Sequence, residues 1–311
     1  MKTLLGGFAI ASLFLLTWLL LSSSEATPAV ATPQQGPPVS SEPTPPRGQY
    51  VGALNLDGPF DFAGDTLDTD NFDVRERLDL ELMRNTFFHR NTLLLLKRRS
   101  RYFPVMERIL REEGVPEDLK YLAAAESGLA NVRSPAGARG VWQFMAPTAR
   151  SYGLEVTGEV DERLHLEKAT RAAAAYLRDY YREFGDWHKV AAAYNIGGPN
   201  LKKWLGKQQA ERLEDLDINQ ETMQYLYRIV ALKSILRDPE AYGYYVDAAQ
   251  EYPPLDKFRT VSVGKSIPDL AAFARREGTT YRMLKLYNPW LVAGNLPVRG
   301  GKTYELRLPA A

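Results

Sequence analysis

The chain has 311 residues, 45% of them hydrophobic and 25% charged, which is typical of about two domains with buried cores and excludes a wholly disordered protein. Its net charge of +1 does not indicate nucleic-acid binding, and we expect no nucleic-acid partner. There is no cysteine and there are only three scattered histidines, which excludes disulfides and lipidated cysteines among these residues and predicts neither a metal nor a cofactor.

The first segment is apolar from Leu4 to Leu21, apart from glycine, Ser12 and Thr17, and it follows Lys2. It is long enough to span a bilayer, and it also fits a long signal peptide. Because Lys2 is expected to stay in the cytoplasm, both alternatives predict that the rest is exported to the cell envelope or periplasm. We assign residues 1–26 as a signal or anchor segment, with inner-membrane anchoring through residues 4–21 if it is not cleaved.

A linker is predicted next, over residues 27–72. Residues 27–47 contain seven prolines among Ser, Thr and Gln, a composition that favours an extended spacer. Residues 50–70 are rich in Gly and Asp and show no clear period.

Residues 73–245 have helical periodicity and predict a mainly α domain. Pro104 is expected to open one helix that Gly114 closes, and Pro116 to open another. A basic run, Lys97-Arg-Arg-Ser-Arg101, is most simply a solvated surface. Further helices are predicted at Glu167–Phe184, Trp187–Tyr194 and Glu221–Leu236.

The tail, residues 258–311, predicts a small βααβ module. Strands are expected at Phe258–Val263 and Tyr304–Leu308, with helical segments at Ile267–Arg276 and Tyr281–Tyr287 between them. The tail has nine Lys and Arg against three Asp and Glu, so its charge is +6 and the remainder of the chain carries −5.

One carboxyl group falls on an apolar helix face. Leu119, Leu122, Glu126 and Leu129 follow one another at spacings of three and four residues. Burial there would raise the pKa of Glu126, as a general acid requires. The alternative is a structural ion pair, which is the commoner role of a buried carboxylate.

Four ordered motifs extend this hypothesis: Glu126-Ser127, Gly140-Val-Trp-Gln143-Phe-Met145, Ala193-Tyr194-Asn195 and Glu221-Thr222. Together they resemble the soluble lytic transglycosylase superfamily, which is related to goose-type lysozymes. Surrounding segments such as Phe184-Gly-Asp-Trp187 look like its membrane-bound lytic murein transglycosylase D branch. The resemblance covers about residues 73–245 and implies a lysozyme-like helical catalytic domain. The tail resembles a LysM peptidoglycan-binding module.

The resemblance also implies a reaction and its residues. Lytic transglycosylases cleave the β-1,4 bond between N-acetylmuramic acid and N-acetylglucosamine without water and leave a 1,6-anhydro ring, with one glutamic acid as both acid and base. This implies that Glu126 is catalytic and that peptidoglycan glycan strands are the partner. The remaining residues implied for the sugar site are Ser134, Gln143, Met145, Tyr194, Asn195 and Glu221.

The segment between Glu126 and Ser134 departs from the family, because the common Asn-Pro is replaced by Gly128-Leu-Ala-Asn131. Two alternatives stay open: a non-catalytic wall-binding scaffold, and a lysozyme-type hydrolase with Glu221 as second carboxylate. In the tail, Tyr287 or Trp290 is expected to stack on glycan.

Overall fold

The computed structural model describes residues 52–310, so the predicted anchor segment and the proline-rich spacer lie outside the described residues. Among residues 52–310, no helix is long and apolar enough to cross a membrane. The predicted mainly α class with a C-terminal βααβ module is confirmed. The elements in chain order are β1 Asp61–Phe62, β2 Asp65–Thr66, α1 Phe72–Phe87, α2 His89–Glu112, α3 Lys120–Ser127, α4 Ala146–Ser151, α5 Leu166–Phe184, α6 Trp187–Ile196, α7 Gly198–Gln208, α8 Gln220–Arg237, β3 Phe258–Val263, α9 Leu270–Arg276, α10 Tyr281–Tyr287 and β4 Tyr304–Pro309.

Helix α8 lies at the centre of the main core, where it packs against α1, α3 and α6. Its side chains are buried around most of its circumference from Thr222 to Leu236, as expected of a helix enclosed by other helices. Even Lys233 is buried, and its ammonium group forms ion pairs with Asp61 and Asp118. Helix α8 therefore connects the helices that carry the predicted site residues.

Helix α2 continues through Pro104, so the predicted helix start there is wrong. Leu96 before the proline and Phe103 and Met106 after it are all buried in the main core. The helix packs along α5. Burial of these side chains offsets the cost of an interior proline, which is about 3 kcal/mol.

Part of the predicted linker is folded onto the helices. Phe60, Phe62 and Leu67 are buried in the main core, next to the short hairpin of β1 and β2. This corrects the assignment of an irregular linker up to residue 72. The segment is too short for its apolar residues to show a period in the sequence.

The C-terminal module has its own small core between one antiparallel strand pair and two helices. Phe258 lies opposite Pro309 and Val263 opposite Tyr304 in the pairing of β3 with β4. Val160, which precedes α5 in the chain, is part of this second core. The module therefore packs directly against the helical region.

The basic run in α2 holds the segment that leads into the module. The backbone N–H of Tyr252 donates to the carbonyl of Lys97 at 2.6 Å, and the Ser100 hydroxyl donates to the carbonyl of Tyr252 at 2.9 Å. Arg101 Nε donates to the carbonyl of Pro253 at 2.9 Å. These contacts give the run a structural role that its charge alone did not indicate.

Asp161 organises the loop between α3 and α4. This buried carboxylate accepts hydrogen bonds from Arg139 Nη1 at 2.9 Å and from Arg163 Nε and Nη2, both at 2.8 Å. Arg163 in turn donates to the carbonyls of Gly137 and Phe144, both at 3.0 Å. The loop that carries Gln143 is thus held by a paired and fully hydrogen-bonded charge cluster.

Close packing at Gly140 yields a stability prediction. Gly140 has φ +81°, and an added Cβ would lie 1.9 Å from the carbonyl oxygen of Arg163. We expect Gly140→Ala to lower the free energy of unfolding by roughly 3 kcal/mol or more. Gly137→Ala is the matched control, because φ is +90° but nothing lies within 4 Å, and we expect a loss of about 1 kcal/mol. Urea unfolding measures both, and equal losses would contradict the clash.

Candidate active site

Glu126 lies in the last turn of α3, directly before a glycine cap. Gly128 adopts the left-handed conformation with φ 59°, and its N–H donates to the carbonyl of Ala124. Arg98 Nη1 donates to the carbonyl of Gly128 at 2.8 Å. The Ser127 hydroxyl lies 2.9 Å from the carbonyl oxygen of Val141. These contacts fix the end of α3 against α2 on one side and against the Gln143 loop on the other.

The carboxyl group of Glu126 is bonded to α8. Its Oε1 accepts a hydrogen bond of 2.6 Å from the hydroxyl of Tyr225. Burial among dense protein atoms raises the pKa of Glu126 to about 7, although the Tyr225 hydrogen bond and the charge of Arg228 both act to lower it. The direction of this pKa shift agrees with the prediction from the apolar helix face on which Glu126 lies. Near neutral pH a large fraction of Glu126 is therefore protonated.

Tyr194 approaches the same carboxyl group from α6. Its hydroxyl donates to the carbonyl of Trp142 at 2.5 Å, next to Gln143. Burial and the charge of Glu126 hold the pKa of Tyr194 well above its ordinary value, so it remains a neutral hydroxyl. The structure thus brings Glu126, Tyr194 and Tyr225 into one cluster.

Gln143 adopts an unusual backbone conformation, with φ 50°. Its side-chain Nε2 donates to the carbonyls of Gly140 at 2.7 Å and Val132 at 3.2 Å. Because both donors are used, its Oε1 is the atom left to face a ligand. A strained residue held by several hydrogen bonds is a common feature of binding sites.

Asn195 and Glu221 both lie near the start of α8, where Asn195 contacts Thr222. Asn195 Oδ1 accepts a hydrogen bond of 2.8 Å from the Thr222 hydroxyl, which fixes the amide and directs its NH₂ away from Thr222. Glu221 accepts from Arg228 Nη1 at 2.9 Å, and the side chain of Glu221 is 53% exposed. Arg228 also pairs with the buried Glu81.

Ser134 and Met145 lie at the two ends of the Gln143 loop. The Ser134 hydroxyl accepts from the N–H of Ala138 at 3.0 Å, so it stabilises the loop turn. Among residues 52–310, no hydrogen bond joins Ser134 to Glu126. Met145 precedes α4 and is 41% exposed, which leaves its side chain accessible.

Tyr225 and Arg228 are site residues that the sequence reasoning missed. Tyr225 is not among the residues of the four motifs, yet it contacts the carboxyl group of Glu126. It follows Glu221 by four residues and so lies on the same helix face, which is the signal that could have identified it. Arg228 follows Glu221 by seven residues, on that face again.

Trp290 does not provide the glycan-stacking surface that was expected in the tail. It is 4% exposed. Its ring stacks between His165 at 6.0 Å and Tyr304 at 5.8 Å, measured between centroids. The indole is used for packing the module against the helical region. Tyr287 remains partly exposed.

Within the described part of the chain, no group of three or more His, Asp or Glu side chains is arranged to hold a metal ion.

Comparison with known families assigns two regions of the chain. The model of the transglycosylase SLT domain matches residues 104–216, and the model of the soluble lytic transglycosylase C-terminal LysM-like domain matches residues 259–311. The chain carries an SLT domain and a LysM-like domain. The first match contains Glu126 and the Gln143 loop, while α8 with Tyr225 lies beyond its end.

Individual relatives agree with this assignment. Membrane-bound lytic murein transglycosylase D of Escherichia coli strain K12 is homologous, with 29% identity over 250 residues that cover 77% of this chain and 53% of that protein. The peptidoglycan transglycosylase gp16 of Escherichia phage T7 is 36% identical over 114 residues, which cover 34% of this chain and 9% of that protein. The chain spans about half the length of the first of these relatives.

Among solved structures, the 70 kDa soluble lytic transglycosylase Slt70 from Escherichia coli aligns at 24% identity with a TM-score of 0.40, covering 51% of this chain and 28% of that one.

The raised pKa of Glu126 predicts a pH-dependent stability difference. The pKa of Glu126 is 4.5 in the unfolded chain and about 7 in the fold. Its contribution to stability is therefore fully present below pH 4.5, and it is lost as the pH rises through about 7. We expect Glu126→Gln to be close to neutral for stability at pH 4 and stabilising by on the order of 2 kcal/mol at pH 8, after allowance for partial solvent access.

Urea unfolding of both proteins at the two pH values measures this difference. Glu183→Gln is the control, because Glu183 is exposed and makes only a surface ion pair with Lys202. A stability difference for Glu126→Gln that does not change with pH would contradict the raised pKa.

Proposed function

We propose that this protein is a peptidoglycan lytic transglycosylase, which cleaves the β-1,4 bond between N-acetylmuramic acid and N-acetylglucosamine without water. The SLT domain match and the murein transglycosylase relatives support this class of reaction. The observation that carries the proposal is the half-buried, partly protonated Glu126 carboxyl group bonded to Tyr225.

The Tyr225 hydrogen bond decides which carboxyl oxygen acts. Because the tyrosine hydroxyl donates to Oε1, the acidic proton lies on Oε2. We place Oε2 against the glycosidic oxygen, which it protonates as the bond to the muramic C1 breaks. The muramic 6-hydroxyl then attacks C1 and gives its proton to the Glu126 carboxylate. The acid is restored, and the product carries a 1,6-anhydro ring.

The second carboxylate supports this route over hydrolysis. A hydrolase of the inverting type needs a free carboxylate to activate water. Glu221, the candidate for that role, is engaged by Arg228 at 2.9 Å. Intramolecular attack by the 6-hydroxyl does not need an activated water, since the nucleophile is already held next to C1.

We assign the remaining site residues to substrate binding. Gln143 Oε1 and the free NH₂ of Asn195 offer an acceptor and a donor to sugar hydroxyl and acetamido groups. Tyr194 and Met145 provide partly accessible surfaces beside them. Ser134 and Glu221 are placed at the edges of the site, where Ser134 shapes the loop and Glu221 positions Arg228.

An envelope location fits the proposed substrate. The Escherichia coli relative is named as a membrane-bound lytic murein transglycosylase. We propose that residues 4–21 export this chain and that they anchor it in the inner membrane if they are not cleaved.

Digestion of purified murein sacculi tests the reaction. We expect soluble muropeptides with 1,6-anhydro ends, identified by mass spectrometry, and at least a 100-fold slower release by Glu126→Gln because the acid/base group is lost. Glu183→Gln should release them at the wild-type rate. Products with reducing ends would instead identify a hydrolase, and sacculus binding without release would identify a scaffold.

The pH dependence of the same assay tests the role of Tyr225. Tyr225→Phe removes a hydrogen bond that lowers the pKa of Glu126, so we expect a lower maximal rate and an alkaline limb that shifts to higher pH. Tyr227→Phe is the matched control, because this buried tyrosine of the same helix contacts Arg77 instead. An alkaline limb that stays in place in Tyr225→Phe would argue for a packing role alone.

A further inference from the structure

A cavity that is separate from the Glu126 cluster lies where the C-terminal module meets the helical region. Its volume is about 370 Å³. It is bounded by Tyr102 of α2, by Leu164 and His165 before α5, and by Arg282 and Tyr287 of α10. Both regions belong to one compact unit, so the walls of this cavity are held together by the fold.

The cavity carries more positive than negative charge. Four cationic side chains line it, against two carboxylates. One carboxylate, Glu167, is ionised, and its charge is compensated by an ion pair with Arg307. Burial acts to raise the pKa of Glu167, but contacts with His165 and Arg307 hold that pKa at about 2. The other carboxylate, Asp256, lies at the rim and is exposed.

Three of the four cations, Arg101, Arg282 and Lys285, have no carboxylate partner among the described residues, and the last two lie on α10. Lys285 donates to the backbone carbonyls of Leu291 and Ala293, which leaves its charge uncompensated. Burial acts to lower its pKa. Arg282 is exposed on the same helix, three residues earlier, and forms no ion pair within residues 52–310. This pair of cations on one face of α10 is available to an anionic ligand.

The remaining wall is apolar and aromatic. Tyr102, Leu164, Leu286, Tyr287 and Trp290 contribute to it. Such surfaces favour methyl and methylene groups. A ligand that satisfies both the cations and this wall combines free carboxylates with short aliphatic groups.

We propose that this cavity binds the stem peptide of a peptidoglycan strand, with Arg282 and Lys285 facing its carboxylates. The proposal rests on the proposed function, which supplies a substrate that carries such peptides. Stem peptides combine alanine methyl groups, an acidic residue and a free terminal carboxylate. A phosphate would satisfy the cations but would gain nothing from the aliphatic and aromatic wall.

The cavity is connected to the catalytic segment. Asn131, five residues after Glu126, lines it, and Asn131 Nδ2 lies 3.4 Å from the carbonyl oxygen of Leu164. A peptide in this cavity thus contacts the loop that follows the catalytic helix. The cavity would select strands by their peptides while Glu126 acts on the sugar.

Calorimetry on the full 311-residue chain in detergent tests the proposal. The probe is the free tetrapeptide L-Ala-γ-D-Glu-meso-diaminopimelate-D-Ala, which has no glycosidic bond, so binding is measured independently of catalysis. We expect Arg282→Glu to weaken the Kd at least fivefold and Asp256→Asn to tighten it about twofold. Arg275→Glu is the matched control, an exposed arginine of the module outside the cavity, and should leave the Kd unchanged.

Two ligand controls identify the chemistry. The tetrapeptide with all carboxylates amidated should not bind, and inorganic phosphate at the same concentration should not displace the free tetrapeptide. Equal Kd values for Arg282→Glu and Arg275→Glu, or displacement by phosphate, would overturn the proposal. If anhydro products form but the tetrapeptide does not bind, the inference fails alone. If the tetrapeptide binds but no anhydro products form, the proposed function fails alone.

Discussion

The buried carboxylate of Asp161 is the constraint on which the arrangement of the molecule depends. It pairs with Arg139 and Arg163, and Arg163 holds the backbone of the Gln143 loop. The backbone N–H of Asp161 donates to the carbonyl of Trp290 at 2.8 Å. Asp161 therefore joins the Gln143 loop to the C-terminal module. Removing one partner of such a buried cluster would leave an unpaired charge, which is strongly destabilising.

Two opposing effects set the chemistry of Glu126. Desolvation favours the protonated acid, while the Tyr225 hydrogen bond and the charge of Arg228 favour the carboxylate. Because Arg228 is shared with Glu81 and Glu221, part of its charge is already compensated and desolvation prevails. The balance leaves a group that can both give and accept a proton near neutral pH. A single carboxyl group with this property suits a reaction in which it must do both.

Patterns in the sequence predicted the features that depend on residues close together in the chain. The spacing around Glu126 placed it on an apolar face, and the strands and helices of the tail followed from periodicity. Contacts between distant residues were not predictable in this way. Tyr225 lies 99 residues from Glu126, and only the packing of α8 on α3 brings them together. Likewise, Pro104 lies within a helix because burial on both sides outweighs its local preference. Trp290 is buried in part by His165, which lies outside its own module.

Val160 lies within the first family match, but its side chain is part of the core of the C-terminal module. The two family matches delimit two sequence units, but the buried surface does not divide at the same place, since the segment before α5 supplies part of the core of the module. Removing the module would expose Val160 and Leu164 to solvent. It would also remove the Trp290 carbonyl that accepts the N–H of Asp161. The LysM-like domain thus shares a buried surface with the helical region. The boundary between the two family matches therefore differs from the boundary between the two buried cores.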